Sequence, residues 1–194
     1  MLEKQISILE ELLVEKVSPS RMKEYETYKN IKGATDEELN EFEKRYNIKL
    51  PDDFKEFYKY KNGSGYHFHV LYPNCEEEDI EPFYLFSIDK IIEEKDNFFS
   101  YDDPMSECYD EEEISDLDKR IKPYLSNKNW IPFAALAGGS LYLLLDYDPT
   151  NEGTIGQIIS YVHDPDFIYY VAKDFAELLE KSNHNLMEWE EIDY

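Results

Sequence analysis

Cysteine, glycine and basic residues are scarce in this sequence of 194 residues. The only cysteines, Cys75 and Cys108, follow no metal-binding or disulfide-framework spacing, which excludes a disulfide-stapled secreted domain. No apolar run, including the one at residues 140–145, approaches the roughly 20 residues of a membrane helix. Residues 1–16 are charged throughout and lack the pattern of a signal peptide. We therefore expect a cytoplasmic protein that does not contact the membrane.

Sequence motifs of catalysis are absent as well. There is no G-x-S-x-G, no Walker A, no G-x-G-x-x-G and no H-E-x-x-H pattern. The 44 Asp and Glu residues supply many carboxylate pairs, but glycoside hydrolysis requires two of them in a cleft at a set separation. The sequence therefore predicts a protein that is not an enzyme, has no catalytic residues and uses no cofactor.

Histidine is limited to four residues, two of which allow a metal-site hypothesis. His67 and His69 have the i, i+2 spacing that places both side chains on one face of a strand, and Cys75 follows soon after. Structural zinc requires three or four such ligands in a tetrahedral arrangement. Ordinary sheet-surface histidines are the simpler interpretation, and we predict no metal site.

Negative charge is what the sequence has in excess, and it is unevenly distributed. Residues 1–61 contain 12 Lys and Arg against 14 Asp and Glu, whereas residues 62–194 contain 8 against 30. Nucleic acids and anionic membranes bind clustered Lys and Arg, so these partners are excluded. An acidic surface attracts a basic protein and accelerates the encounter with it. Simple solubility is the alternative explanation of the charge.

The hydrophobic pattern predicts helices first, then strands, then a final helix. Helices are expected over residues 2–16, after a Thr35–Glu38 capping box, from Pro51 onward, near Ile88, and after Asp174. Strands are expected over residues 66–72, 83–86, 130–136, 141–146, 155–162 and 167–172. Residues 100–118 are acidic without a clear period and are expected to form an exposed loop. This order is typical of an α+β fold with a mostly antiparallel sheet flanked by helices.

Residues 34–63, ATDEELNEFEKRYNIKLPDDFKEFYKYKNG, resemble the opening motif of the SUKH superfamily. This superfamily includes the Smi/Knr family of fungal cell-wall-assembly regulators. Later segments are similar in the same order, including WIPF at 130–133, the glycine pair and GQII at 156–159. The residues that carry the family motif are interpreted as structural: Leu50, Pro51, Asn62, Gly63, Trp130, Gly138, Gly139, Asp146 and Gly156.

The resemblance also divides the chain. It implies a SUKH domain over residues 34–182, which contains an acidic insertion at about 96–118. Residues 1–33 are then an N-terminal helical extension, and residues 183–194 are an acidic C-terminal tail. We expect this tail to fray from Asn183, with docking of Leu186, Met187 and Trp189 as the alternative.

The resemblance implies a non-catalytic binding protein with two main alternatives. Bacterial members are immunity proteins that bind and neutralise a cognate toxin, often a nuclease, and fungal members are regulatory scaffolds. A binder of small molecules or glycans is a third hypothesis, which requires a concave pocket. For the immunity alternative, the partner is a basic toxin, and we predict that these acidic residues bind it: Asp102, Asp103, Glu107, Asp110, Glu111, Glu112 and Glu113.

Overall fold

Seven α-helices are present in the computed structural model, which describes residues 2–76, 79–136 and 138–193. They are α1 (Leu2–Lys16), α2 (Met22–Lys29), α3 (Asp36–Tyr46), α4 (Asp52–Tyr60), α5 (Ile88–Phe98), α6 (Glu111–Ile114) and α7 (Phe175–Glu188). The longest of these helices, α1, has 15 residues. None of the helices in the described ranges is long and apolar enough to cross a membrane.

Six strands form one antiparallel sheet in the order β1-β4-β7-β8-β9-β10. These strands are β1 (His69–Leu71), β4 (Phe83–Leu85), β7 (Trp130–Ala135), β8 (Leu141–Asp146), β9 (Gln157–Val162) and β10 (Phe167–Ala172). Two smaller antiparallel pairs join β2 (Asn74–Glu76) to β3 (Asp79–Ile80), and β5 (Asp103–Pro104) to β6 (Tyr124–Ser126). The predicted α+β fold around an antiparallel sheet is confirmed.

Local side-chain chemistry sets the ends of α3 and α4. Thr35 Oγ1 accepts a hydrogen bond from Glu38 N at 3.2 Å, and Glu38 Oε2 accepts one from Thr35 N at 2.7 Å. This capping box satisfies two amides at the start of α3, as the sequence predicts. Pro51 was expected at the first helical position of α4, but it is the N-cap residue, and the helix begins at Asp52.

Strand β1 is shorter than the sequence suggests. A strand was expected over residues 66–72, yet regular pairing covers only His69–Leu71. His67 has a φ of 58°, in the left-handed region, and Phe68 N donates to Gly65 O at 3.3 Å in a turn. Left-handed backbone does not continue a strand, so the chain enters the sheet only after this turn.

One face of the sheet is covered by helices. Phe54 of α4 and Phe175 of α7 pack against Phe133 of β7, with ring centroids 5.6 Å and 5.9 Å from that of Phe133. The Phe54 and Phe175 rings are 5.4 Å apart and nearly perpendicular. Edge-to-face contacts of this kind add to the stabilisation that burial of the rings provides. This helical face contains the larger hydrophobic core.

The two ends of the chain contact each other beside this core. Asn183 Nδ2 donates to Gln5 O at 2.9 Å, and Lys16 Nζ donates to Trp189 O at 2.7 Å. Residues 183–188 therefore continue α7 and follow the docking alternative instead of fraying, because Asn183 and Leu186 are buried. Helix α1 packs along α7.

The opposite face of the sheet has its own, smaller core. Trp130, Leu144, Ile159 and Ile168 supply its sheet side. The segment that crosses this face contributes five further buried side chains: Phe99, Met105, Leu117, Ile121 and Leu125. The expected exposed loop over residues 100–118 is therefore anchored to the sheet. Its anchors are single apolar residues among acids, which produce no periodic pattern.

Candidate functional site

Residues 96–118, which we call the acidic segment, contain ten Asp and Glu residues and no Lys or Arg. The segment leaves α5, pairs as β5 with β6, and forms the short helix α6. It lies within residues 62–194, the part of the protein that carries most of the net negative charge. All seven residues that the sequence predicts as partner-binding lie on it.

Three contacts fix the backbone of the acidic segment. The Met105 side chain is fully buried, and Met105 N donates to Pro123 O at 3.0 Å. Leu117 is 8% exposed and belongs to the same core. Between them, the Tyr109 hydroxyl donates to the backbone oxygen of Asp166. The carboxylates of the segment are thus presented from a backbone that is held at both ends and in the middle.

Asp102 is already paired within the chain. Its Oδ2 accepts from Lys128 Nζ at 2.8 Å, and its Oδ1 accepts from Lys128 N at 3.0 Å. These hydrogen bonds from Lys128 lower the pKa of the Asp102 carboxyl. Because Asp102 is paired with the Lys128 ammonium, the negative charge of its carboxylate is partly neutralised within the chain.

Asp110 and Glu113 form a capping box at the start of α6. Asp110 Oδ1 accepts from Glu112 N at 2.9 Å and from Glu113 N at 3.0 Å. In return, Glu113 Oε2 accepts from Asp110 N at 2.9 Å. Carboxylates at a helix N-terminus are stabilised by the unpaired amides there. These two acids therefore shape the turn that presents their neighbours.

Glu107, Glu111 and Glu112 lie on the surface of the acidic segment. Their side chains are exposed and make no hydrogen bond or ion pair with any residue that the structure describes. Asp103, half-buried in β5, also makes no side-chain hydrogen bond in that part of the chain. The seven predicted residues thus divide into three with structural contacts and four without.

Aromatic residues beside the segment were missed by the sequence predictions. Tyr142 of β8 and Tyr161 of β9 occupy paired positions on neighbouring strands, with ring centroids 6.4 Å apart. Tyr142 OH donates to Glu94 Oε2 at 3.1 Å, and Tyr161 OH donates to Asp166 Oδ1 at 2.9 Å. The signal for this pair is the two-residue alternation of the predicted strands, which places both rings on one face.

Asp146, one of the family-motif residues, is a fully buried carboxylate at the end of β8. Its Oδ1 accepts from Trp130 Nε1 at 3.0 Å and from Asp148 N at 2.8 Å, and its Oδ2 accepts from Gln157 Nε2 at 2.9 Å. Burial raises the pKa of this carboxyl, and the three donors oppose that effect. The network ties β7, β8 and β9 together and has no exposed reacting atom.

Leu50, Pro51 and Gly156 also make structural contacts. Leu50 is buried, and its amide donates to Glu43 Oε1 at 2.8 Å. Gly156 has a φ of 84°, and a Cβ atom there would lie 2.9 Å from Pro51 Cγ. A side chain at this position is therefore excluded twice, by the backbone conformation and by the proline.

Asn62 and Gly63 join the end of α4 to the start of α5. Asn62 Oδ1 accepts from Ile88 N at 2.8 Å. Gly63 has a φ of 86°, and a Cβ atom there would meet Ser87 N at 2.7 Å. Gly138 and Gly139 have positive φ values in the turn from β7 to β8.

The metal-site hypothesis gains no geometric support from the structure. The His67 and His69 rings both lie against the Tyr84 ring, with centroids 5.8 Å and 6.0 Å from it. Within residues 2–76, 79–136 and 138–193, no three His, Cys, Asp or Glu side chains are grouped so that they could hold a metal ion. Cys75 is buried and Cys108 is exposed.

Comparison with protein families decides what kind of domain this is. The model of the SMI1/KNR4 family (SUKH-1) matches residues 33–181, which is most of the chain. The chain belongs to the SUKH-1 family. A search of curated proteins finds no match to this SUKH-1 protein. The family match spans α3 to α6, the ten strands that the structure describes and the first half of α7, so it includes the acidic segment.

Proposed function

We propose that this SUKH-1 protein is an immunity protein that binds a cognate basic toxin through the acidic segment and neutralises it. The SUKH family includes immunity proteins, and it is generally non-catalytic. The proposal therefore assigns binding, and no reaction, to the chain. Its finer content, the toxin and the surface that binds it, comes from the charge and geometry of the molecule.

The observation that carries the proposal is the group of unpaired carboxylates of Glu107, Glu111 and Glu112 on an anchored backbone. Charged side chains that lack internal partners gain more from an external cation than those already in ion pairs. Anchoring through Met105 means that little backbone entropy is lost on binding. The segment is therefore suited to a partner surface rich in Arg and Lys.

Neutralisation would follow from occupation of the toxin's substrate groove. A nuclease binds phosphates with clustered Lys and Arg, and carboxylates spaced along α6 would pair with the same groups. The net charge of −24 would also accelerate the encounter at long range. Because the toxin would act inside the cell, we place the protein in the cytoplasm, where Cys75 and Cys108 stay reduced.

The test is a capture experiment with the toxin module encoded beside this protein. The tagged chain is incubated with the purified toxin, and both the dissociation constant and the residual toxin activity are measured. We expect a one-to-one complex with a dissociation constant on the order of nanomolar and complete loss of toxin activity. Glu111→Lys/Glu112→Lys should weaken binding by about tenfold or more.

A matched control is available on α1. Glu11 and Glu15 are exposed in a helix outside the acidic segment, and Glu11→Lys/Glu15→Lys changes the net charge by the same amount. Equal effects of the two double variants would remove the acidic segment from the interface. Several partners of moderate affinity, with no toxin among them, would favour the regulatory scaffold.

A further inference from the structure

A cavity of about 320 Å³ opens beside the acidic segment. Its walls come from the end of α5, from β5 and β6, and from neighbouring parts of β8, β9 and the β9–β10 turn. The side chains that matter for its chemistry are Phe98, Tyr101, Asp103, Tyr142, Tyr161 and Asp166. Asp103 belongs to the acidic segment, and Tyr109 of the same segment is hydrogen-bonded to Asp166.

Aromatic rings form most of the apolar wall of this cavity. The buried Phe99 ring lies 5.5 Å from Tyr142 and 6.5 Å from Tyr161, measured between centroids. Phe98 and Tyr101 are 54% and 56% exposed. Two exposed aromatic side chains at the mouth of one cavity provide apolar surface against which a bound molecule can pack.

Most hydrogen-bonding groups that line the cavity already have partners within the protein, and this limits which of them a ligand can use. The Tyr142 and Tyr161 hydroxyls donate to Glu94 and Asp166, and burial raises the pKa of both tyrosines, so these donors stay protonated. His163 contacts the same Asp166 oxygen as Tyr161. The Asp103 carboxylate accepts no side-chain hydrogen bond from the described ranges. It is therefore the acceptor that a ligand can use.

Rings beside an open carboxylate select a cation. An anionic ligand would face Asp103 and Asp166 with only His163 to oppose them. Among protein cations, the guanidinium group is planar, weakly hydrated and able to stack on aromatic faces while it donates to a carboxylate. An ammonium group is strongly hydrated and offers no flat surface for stacking. The chemistry of the cavity therefore favours arginine over lysine.

We propose that this cavity is the receptor for one arginine side chain of the protein partner, stacked against Tyr101 and paired with Asp103. The inference rests on the proposed function in that it assumes a basic partner at the acidic segment. It adds an anchor to an otherwise electrostatic contact. A buried arginine at the centre of an interface is a common hot spot.

The probe is Nα-acetyl-arginine N-methylamide, titrated into the full-length ¹⁵N-labelled protein and followed by NMR. We expect saturable shifts confined to residues around the cavity, with a dissociation constant on the order of millimolar. Tyr101→Ala and Asp103→Asn should each weaken binding by about fivefold. Tyr66→Ala and Glu41→Gln, at exposed positions away from the cavity, should leave it unchanged.

Three results would overturn this inference. These are an absence of saturable shifts, equal binding of the neutral citrulline analogue, and equal binding of the lysine analogue. The toxin capture experiment separates this failure from that of the proposed function, since it does not depend on the cavity. A protein that neutralises the toxin but does not bind the arginine probe retains its function and lacks this anchor.

Discussion

The two faces of the six-stranded sheet are covered by different kinds of structure. On the helical face, α4 and α7 bring Phe54 and Phe175 against Phe133, and all three rings are fully buried. On the other face, the acidic segment crosses the sheet with few apolar anchors, of which Met105 is the most deeply buried. The helices that cover one face have a regular hydrophobic period, whereas the acidic segment that covers the other face has none.

If the proposed function holds, this difference separates stability from recognition. Side chains of the helical face are constrained by packing, so substitutions there lower the stability of the fold. In the acidic segment, the anchors face the sheet while Glu107, Glu111 and Glu112 are exposed. Those carboxylates can change without disturbing a core, which suits a surface that must match one partner.

The largest effect is expected at the centre of the helical face. Phe54→Ala removes a fully buried ring and should lower the free energy of unfolding by about 4 kcal/mol. Urea denaturation followed by circular dichroism measures this loss. Met22→Ala, at a position that is 44% exposed, is the control and should cost less than about 1 kcal/mol. A loss below about 2 kcal/mol for Phe54→Ala would contradict the view that the helical face contributes most to the free energy of unfolding.

Asp146→Asn should have the next largest effect. The carboxylate accepts from Trp130, Asp148 and Gln157, and an asparagine would point its own donor at one of these three. The expected loss is about 3 kcal/mol in the free energy of unfolding. Since Trp130 belongs to the second core, its fluorescence should shift in the same variant. Stability equal to wild type would mean that the buried charge is dispensable.

Met105→Ala tests whether the second face unfolds separately. We expect a loss of about 2 kcal/mol, with amide protection falling first over residues 99–126 and only later in α4 and α7. Hydrogen exchange followed by mass spectrometry distinguishes these regions. Uniform loss of protection over the whole chain would show that the two faces form one cooperative unit. It would contradict the separate unfolding of the second face.

Lys95 directly precedes the acidic segment, and its lowered pKa predicts how stability depends on pH. Its buried ammonium donates to Phe99 O and to Lys128 O, the latter at 2.8 Å, and burial lowers its pKa to about 8. The unfolded state then binds more protons between about pH 8 and the ordinary lysine pKa of about 10.4, so this group's contribution to stability rises with pH.

Wild type should therefore gain about 2 kcal/mol relative to Lys95→Met between about pH 7 and 9.5. Urea denaturation of both proteins at each pH measures the difference. Lys4→Met, at an exposed position of α1, is the matched control and should follow the wild-type curve. A Lys95→Met curve parallel to wild type would show that Lys95 keeps an ordinary pKa.

The helical face could be predicted from the sequence because its determinants are local. The Thr35–Glu38 capping box joins residues three apart, and Phe54, Phe57 and Tyr58 mark one side of α4 at helical spacing. The strands β7 to β10 could be predicted because each is an apolar segment and turn residues separate one segment from the next. The turn at His67 was missed, because a left-handed histidine has no distinctive sequence signal.

The acidic segment could be predicted only as a region. Its charge is plain in the sequence, but the state of each carboxylate depends on distant residues. Asp102 is paired by Lys128, 26 positions away, and Tyr109 is held by Asp166, 57 positions away. No local pattern contains these partners, so the sequence could not separate paired acids from unpaired ones.

The association rate with the cognate toxin tests the central claim most directly, namely that the acidic segment is the recognition surface. The rate constant is measured for wild type, Glu111→Lys/Glu112→Lys and Glu11→Lys/Glu15→Lys at about 20 mM and about 150 mM salt. We predict that the segment variant associates about tenfold more slowly at low salt, with a weaker salt dependence, while the α1 variant stays near wild type. Equal rates for the two variants would contradict this account.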